Sequence, residues 1–187
     1  GSRPAGASAW THAPTSFQEA AIHRVRGTLE RRGGAVLADA VGLGKTYVAL
    51  ALIEDRLRAG GDVVVVIPAA LRGLWRPLLR RLGPDLPWRL VSHAQMSRGI
   101  AIRSARGARL VVVDEAHRFR NRATRRHGAL ARLLAPVSTD GAGALRRTEA
   151  LLVTATPINN AFDDLYHLVR LFLADDGLRD AGVPSLR

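Results

Sequence analysis

The sequence has no cysteine, and Lys45 is the single lysine among 28 basic residues. Without cysteine neither a disulfide framework nor a thiolate metal site can form, which fits a reducing compartment. No apolar run approaches the roughly 20 residues a bilayer-crossing helix needs, and the start lacks the charged-then-apolar pattern of a signal peptide. The reading is of a soluble chain without a membrane partner, cytoplasmic, and nucleoid-associated if bacterial. The chain opens on Gly1-Ser2 and its one methionine is Met96. Its first two residues therefore read as a cloning scar.

What is present suits one folded domain: 187 residues, of which 47% are hydrophobic, enough to build a single core. The formal net charge is +12, from 28 basic and 16 acidic residues. A GC-rich codon bias explains arginine in place of lysine but not the excess of bases over acids. A surface this basic attracts polyanions, so nucleic acid is an expected partner.

Residues 1–14 are small, polar and proline-containing, and read as a tail. Thr15 or Ser16 stands at an N-cap position, with Glu19 three residues after Ser16 as in a capping box, and the apolar spacing then predicts a helix over 16–31. A short apolar run, "AVLA" (35–38), feeds a glycine-rich turn, after which "TYVALALIEDRLRAG" has helical character. "DVVVVIP" (62–68), "RLVVVDEAH" (109–117) and "EALLVTATP" (149–157) are apolar on both faces, as strands in the middle of a parallel sheet are. "WRLVS" (88–92) is a weaker strand. "LRGLWRPLLRRL" is helical, with Pro77 either opening a second helix or kinking the first. The stretch 93–108 reads as a loop without a clear signal, and "STDGAGALRR" reads as a loop. "ATRRHGALARLLA" and the amphipathic "AFDDLYHLVRLFL" read as helices. Strands alternating with helices predict an α/β fold: a parallel sheet flanked by helices on both faces.

Chemistry concentrates at two places. In "DAVGLGKT" (39–46) a strand-to-helix turn carries Gly42, Leu43 and Gly44 ahead of Lys45 and Thr46. Glycines there let backbone N–H groups surround an anion at the positive end of a helix dipole. Lys45 can neutralise β- and γ-phosphate oxygens, and the Thr46 hydroxyl can reach Mg²⁺. Asp39 stands where the usual phosphate-loop pattern begins with glycine. A plain glycine turn is the simpler alternative, but it requires no lysine followed by threonine. The second place is Asp114-Glu115, at the C-terminal end of a buried strand, where ligands bind in open α/β sheets. Asp114 can hold the Mg²⁺ water shell, and Glu115 can orient or deprotonate the water that attacks the γ-phosphorus. Together the two predict hydrolysis of a nucleoside triphosphate.

These segments also resemble helicase superfamily two, and within it the Swi/Snf-type DNA translocases. "DAVGLGKT" is similar to that family's motif I, with Ala40 replacing an acidic residue; "VVVVIPAALRGLW" resembles motif Ia, "VVVDEAHRFRN" motif II and "LLVTATPINN" motif III. Gln18, in "SFQEAA", matches the glutamine that reads adenine in the superfamily. "GLGKT" and "TATPINN" followed by "DDLYHL" lie closer to the Swi/Snf pattern than to DEAH-type RNA helicases.

The resemblance implies a single RecA-like lobe of the P-loop NTPase type over 15–175, with 176–187 starting a linker towards an absent second lobe. By carry-over, Lys45, Thr46, Asp114 and Glu115 serve ATP and Mg²⁺, while His117 and Thr154, Ala155 and Thr156 couple the nucleotide to double-stranded DNA and to the other lobe. The arginine that completes such a site in trans belongs to the second lobe. Loss of such an arginine costs about 10³ to 10⁵ in rate, so a lone lobe is expected to be a poor ATPase. An RNA-helicase lobe and a nucleotide-dependent switch that never translocates remain the alternatives.

Arg118, Arg120, Arg122, Arg125 and Arg126 can track a nucleic-acid backbone, form a solvated face or meet the second lobe. His93, His117 and His127 lack metal-ligand spacing, so no zinc site is expected. Trp75 and Trp88 read as core or interface, and Asp163 and Asp164 as first-turn carboxylates favoured by a helix dipole.

Overall fold

The computed structural model describes residues 14–38, 44–99, 105–138, 145–154, 162–173 and 177. Helix α1 spans Ser16–Arg32, capped by Thr15 and closed by Gly33 in the left-handed region. The capping box pairs Thr15 with Gln18, not Ser16 with Glu19. Strand β1 (Gly34–Ala38) follows, then α2 (Lys45–Arg58), β2 (Val63–Ile67), α3 (Arg72–Leu82), β3 (Trp88–Ser92), α4 (His93–Ser97) and β4 (Leu110–Val113). The chain continues through α5 (Arg125–Leu134), β5 (Val137–Ser138), β6 (Leu145–Arg146), β7 (Glu149–Thr154) and α6 (Phe162–Val169).

Five strands form one parallel sheet in the order β1-β7-β4-β2-β3. Its inner strands bury every residue, β2 as "VVVVI", β4 as "LVVV" and β7 as "EALLVT". The period of two sends alternate residues to opposite faces. Val63, Val65, Ile67, Leu110, Val112 and Leu151 pack with residues of α1, α2 and α3. Val64, Val66, Val111, Val113 and Leu152 pack on the other side, with Met96, Phe119, Leu130, Leu133 and Leu168. The predicted α/β sandwich is therefore the observed one.

Three local outcomes refine the sequence reading. Pro77 does not open a second helix; it sits within the single helix α3, which follows a 3₁₀ turn at Ala69–Leu71. The stretch after β3 holds α4, whose Ser92 cap takes a hydrogen bond from the Gln95 N–H at 3.2 Å. Part of the segment read as a loop forms a two-stranded antiparallel ribbon, β5 with β6, separate from the main sheet. Among the described residues no helix is long and apolar enough to cross a membrane.

Candidate functional site

In a parallel sheet every strand runs the same way, so the segments leaving the strands' C-terminal ends gather along one edge. Ala38, the last residue of β1, is paired with Thr154, the last of β7, and Val113, the last of β4, is paired with Leu152. The chain emerging from β1 leads to Lys45 and Thr46 in the first turn of α2, and the chain emerging from β4 is Asp114-Glu115. With neighbouring strands about 4.8 Å apart, the ends of β1 and β4 are separated by about 10 Å with β7 between them. Lys45, Thr46, Asp114, Glu115 and Thr154 thus share one edge. Gly42, Leu43, Ala155 and Thr156 lie outside the described residues, as does Asp39.

The start of α2 is set by Gly44. Its φ of +84° lies in the left-handed region, and no side-chain hydrogen bond caps the helix among the described residues, so the positive end of the helix dipole lies at the exit of the glycine turn. The space beside it is also taken by Gln18. A Cβ on Gly44 would stand 2.4 Å from Nε2 of Gln18. Gln18 is held by its role in the α1 cap: its Oε1 accepts the Thr15 N–H at 3.0 Å, and its own N–H donates to Thr15 Oγ1 at 3.3 Å. The glutamine amide is thereby fixed against the exit of the glycine turn. Beside it a cavity of about 340 Å³ is lined by Phe17, Arg24, Val36, Lys45 and Val48, among others, and Phe17 is 57% exposed.

Asp114 is held from several directions. Its N–H donates to the Val66 carbonyl at 2.8 Å, tying it to β2. Carboxylate Oδ2 accepts the indole N–H of Trp75 at 2.9 Å, and Oδ1 accepts the Glu115 N–H at 2.9 Å. The Asp114 carbonyl is 3.0 Å from Nε2 of His93. Burial lowers the pKa of His93 to about 4; the Asp114 carbonyl opposes the shift, while Arg118, Arg126 and His117 add to it. The neutral ring donates Nε2–H to that carbonyl, which leaves Nδ1 an acceptor, buried and without a partner among the described residues. The ring also meets Phe119 edge to face at 4.9 Å.

Glu115 adopts φ +52°, the one non-glycine residue with positive φ among those described. Such a conformation costs of order 1 kcal/mol or more and is found where surrounding structure enforces it. It turns the chain into a short 3₁₀ helix, Ala116–Phe119. His117 then returns towards the edge: its Nδ1 lies 3.2 Å from Glu115 Oε2 and 3.4 Å from Thr154 Oγ1. A carboxylate, an imidazole and a buried hydroxyl therefore connect the chain leaving β4 with the end of β7.

The histidines serve different partners. His93 Nε2 meets the Asp114 carbonyl, His117 Nδ1 lies between Glu115 and Thr154, and His127 Nδ1 is 2.7 Å from the Phe119 carbonyl. Trp88 is a structural residue, half-buried and donating to the Gly83 carbonyl at 2.9 Å. Trp75 is fully buried, as a core residue should be, but the core reading missed its contact with Asp114. The signal available in sequence was that a buried indole N–H almost always needs an acceptor. Arg118, Arg120, Arg122 and Arg125 are exposed and Arg126 half-buried. The side chains of Asp163 and Asp164 lie outside the described set.

No protein-family model matches the chain. Among curated proteins it is 28% identical over 157 residues to an uncharacterized ATP-dependent helicase, YqhH, of Bacillus subtilis (strain 168), a match covering 74% of this chain and 26% of that protein. It is 26% identical over 166 residues to the chromodomain-helicase-DNA-binding protein 1-like of Mus musculus, covering 74% of this chain and 17% of that protein. It is also 26% identical over 190 residues to the lymphoid-specific helicase of Homo sapiens, covering 85% and 21%. Each of these matches takes in about a quarter or less of the relative's length. Among solved structures, the SWI2/SNF2 ATPase core of Sulfolobus solfataricus in complex with dsDNA superposes with a TM-score of 0.69 at 21% identity, over 84% of this chain and 35% of that one. The sequence relatives all carry helicase names, in line with the helicase resemblance read from the motifs, and the fold is that of the SWI2/SNF2 ATPase core.

Proposed function

Proceeding from that likeness, we propose that the chain is an ATP-binding RecA-like lobe of a Swi/Snf-type motor, which binds ATP with Mg²⁺ along the C-terminal edge of its sheet and couples hydrolysis to movement on double-stranded DNA. The observation that carries the reading is the arrangement of that edge: the chain's single lysine starts the helix after β1, and a pair of carboxylates leaves β4 two strands away. One triphosphate with its metal can reach both.

The residues fit such a ligand. A helix start that begins on a left-handed glycine, with no side-chain cap among the described residues, suits phosphate oxygens, and Lys45 adds a positive charge there. Asp114 keeps acceptor capacity, since each carboxylate oxygen has a second lone pair beyond the one engaged by Trp75 or by the Glu115 N–H. Thr46 and Asp114 would hold Mg²⁺, which when bound neutralises charge shared between the β- and γ-phosphates. Glu115 orients or deprotonates the attacking water. Gln18 and the cavity beside it receive the base, with Gly42, Leu43 and Gly44 wrapping the phosphates. His117, through Glu115 on one side and Thr154 on the other, transmits the state of the site to the segment containing Ala155 and Thr156, and from there to DNA and to a second lobe of the same polypeptide. The arginine supplied by that lobe would complete the charge stabilisation.

Two substitutions test the site. Lys45→Ala should abolish nucleotide binding, whereas Glu115→Gln should retain binding and stop turnover. An unchanged ATP affinity in Lys45→Ala removes the phosphate-site assignment. The substrate class is tested by ATPase stimulation in the longest natural polypeptide: duplex DNA should stimulate, and stimulation by RNA alone would favour the RNA-helicase reading instead.

A further inference from the structure

We propose that Trp75 is a positioning residue for the Asp114 carboxylate, fixing the orientation in which Asp114 meets the magnesium of the bound nucleotide. The inference rests on the proposed metal-holding role of Asp114. Trp75 lies in the first half of α3, 39 residues before Asp114 in sequence, and is fully buried in the core cluster that α1, α2 and α3 form on one face of the sheet. Its indole N–H nonetheless reaches Asp114 Oδ2 at 2.9 Å.

The chemistry of this donor matters. An indole N–H can donate but never accept, and it carries no charge. It therefore fixes one carboxylate oxygen without neutralising the negative charge a cation requires, as an arginine or lysine in its place would. The other oxygen is fixed by the Glu115 N–H at 2.9 Å, and the backbone on both sides of the Asp114 Cα is tied to Val66 and His93. The carboxylate plane is thus set by two donors, while each oxygen keeps a further lone pair with which to accept. The rigid, packed ring gives the donor a fixed position, which a flexible surface side chain could not. Partners of metal-holding side chains typically contribute roughly 10- to 100-fold to metal affinity or activity.

The test measures ATP binding to the chain in EDTA and across a Mg²⁺ titration. Trp75→Phe, which keeps a large buried ring and removes the N–H, should bind ATP in EDTA as the unaltered chain does. The Mg²⁺ concentration giving half of the metal-dependent change in affinity should rise by about 10-fold or more. An unchanged Mg²⁺ midpoint in Trp75→Phe overturns the proposal. Asp114→Ala separates this from the metal assignment: if it retains the unaltered Mg²⁺ response, the assignment of Asp114 fails and the role of Trp75 falls with it. If it loses that response while Trp75→Phe keeps it, only the role of Trp75 fails. Should Trp75→Phe not fold, the Trp75 indole N–H resonance of the otherwise unaltered chain decides. It should move upfield in Asp114→Ala and shift when Mg²⁺ is added with ATP, and a resonance insensitive to both overturns the proposal.

Discussion

At the scale of single residues, the site is governed by which hydrogen bonds a side chain can make once it is buried. His93 is the clearest case. The residue is 7% exposed, its Nε2 serves the Asp114 carbonyl, and burial brings its pKa to about 4 against an ordinary value of 6.5. Between those two values the unfolded chain binds a proton that the folded chain does not, so stability must fall as pH drops through that window. Above pH 6.5 the ring is neutral in both states and the effect vanishes. His93→Gln retains an amide donor for the carbonyl but does not titrate. Thermal unfolding followed from pH 7 to pH 4 should therefore show a steeper loss for the unaltered chain than for His93→Gln. Parallel pH profiles would show that His93 does not hold its neutral form in the fold.

Whole elements are joined at the opposite end of the sheet by ionic contacts. Glu149 opens β7 and is 5% exposed; Arg56, in the last turn of α2, is 9% exposed. Arg56 Nε lies 2.6 Å from Glu149 Oε2, and Arg109, just before β4, approaches Oε1 at 3.2 Å. One buried carboxylate thus joins a helix to the starts of two strands. Removing it leaves the Arg56 charge buried without compensation, a change that costs about 3–5 kcal/mol when one partner of a buried pair is deleted. Glu149→Ala should lower the denaturant midpoint accordingly. ATP affinity per folded molecule should be unaffected, because the triad lies at the edge away from Lys45 and Asp114. A loss of affinity beyond the loss of folded protein would contradict this separation of the two ends. The strands of the sheet's interior are the elements sequence revealed best. Strands β2, β4 and β7 are apolar at nearly every position, which only a sheet covered on both faces accommodates. Helix α4 was opaque because five residues cannot display a helical period, and its evidence is a local cap between Ser92 and Gln95. The ribbon of β5 and β6 has two residues per strand, too few for alternation to register. At the site, the acid pair and the lysine were legible from residue type and order. The Trp75 and His93 contacts to Asp114 were not, since they join segments 39 and 21 residues apart through a tertiary fold that no local pattern encodes.

For the molecule as a whole, charge and topology meet at one edge. The arginines that follow Glu115 leave from the strand that presents the acid pair, and Arg118, Arg120, Arg122 and Arg125 are exposed. If a chain of net charge +12 binds duplex DNA as proposed, it does so partly by releasing counterions, so the logarithm of duplex affinity should fall linearly with the logarithm of salt concentration, with a slope of about −0.9 per phosphate neutralised. General surface charge and a defined contact predict different responses to substitution. If Arg122 and Arg125 each neutralise a phosphate, the double substitution to alanine should reduce the slope by about 1.8 and weaken binding to all duplex sequences alike. Fluorescence anisotropy of a labelled duplex across a salt series measures both quantities. The same measurement with ATP and Mg²⁺ present examines the link proposed through Glu115, His117 and Thr154. Nucleotide should change duplex affinity in the unaltered chain, and by linkage duplex should change nucleotide affinity by the same factor. His117→Ala should diminish both factors together while leaving the salt slope in place, because it removes the bridge between the two ligands and neither binding surface. A slope unaltered by loss of Arg122 and Arg125 would instead identify this arginine segment as a solvated face.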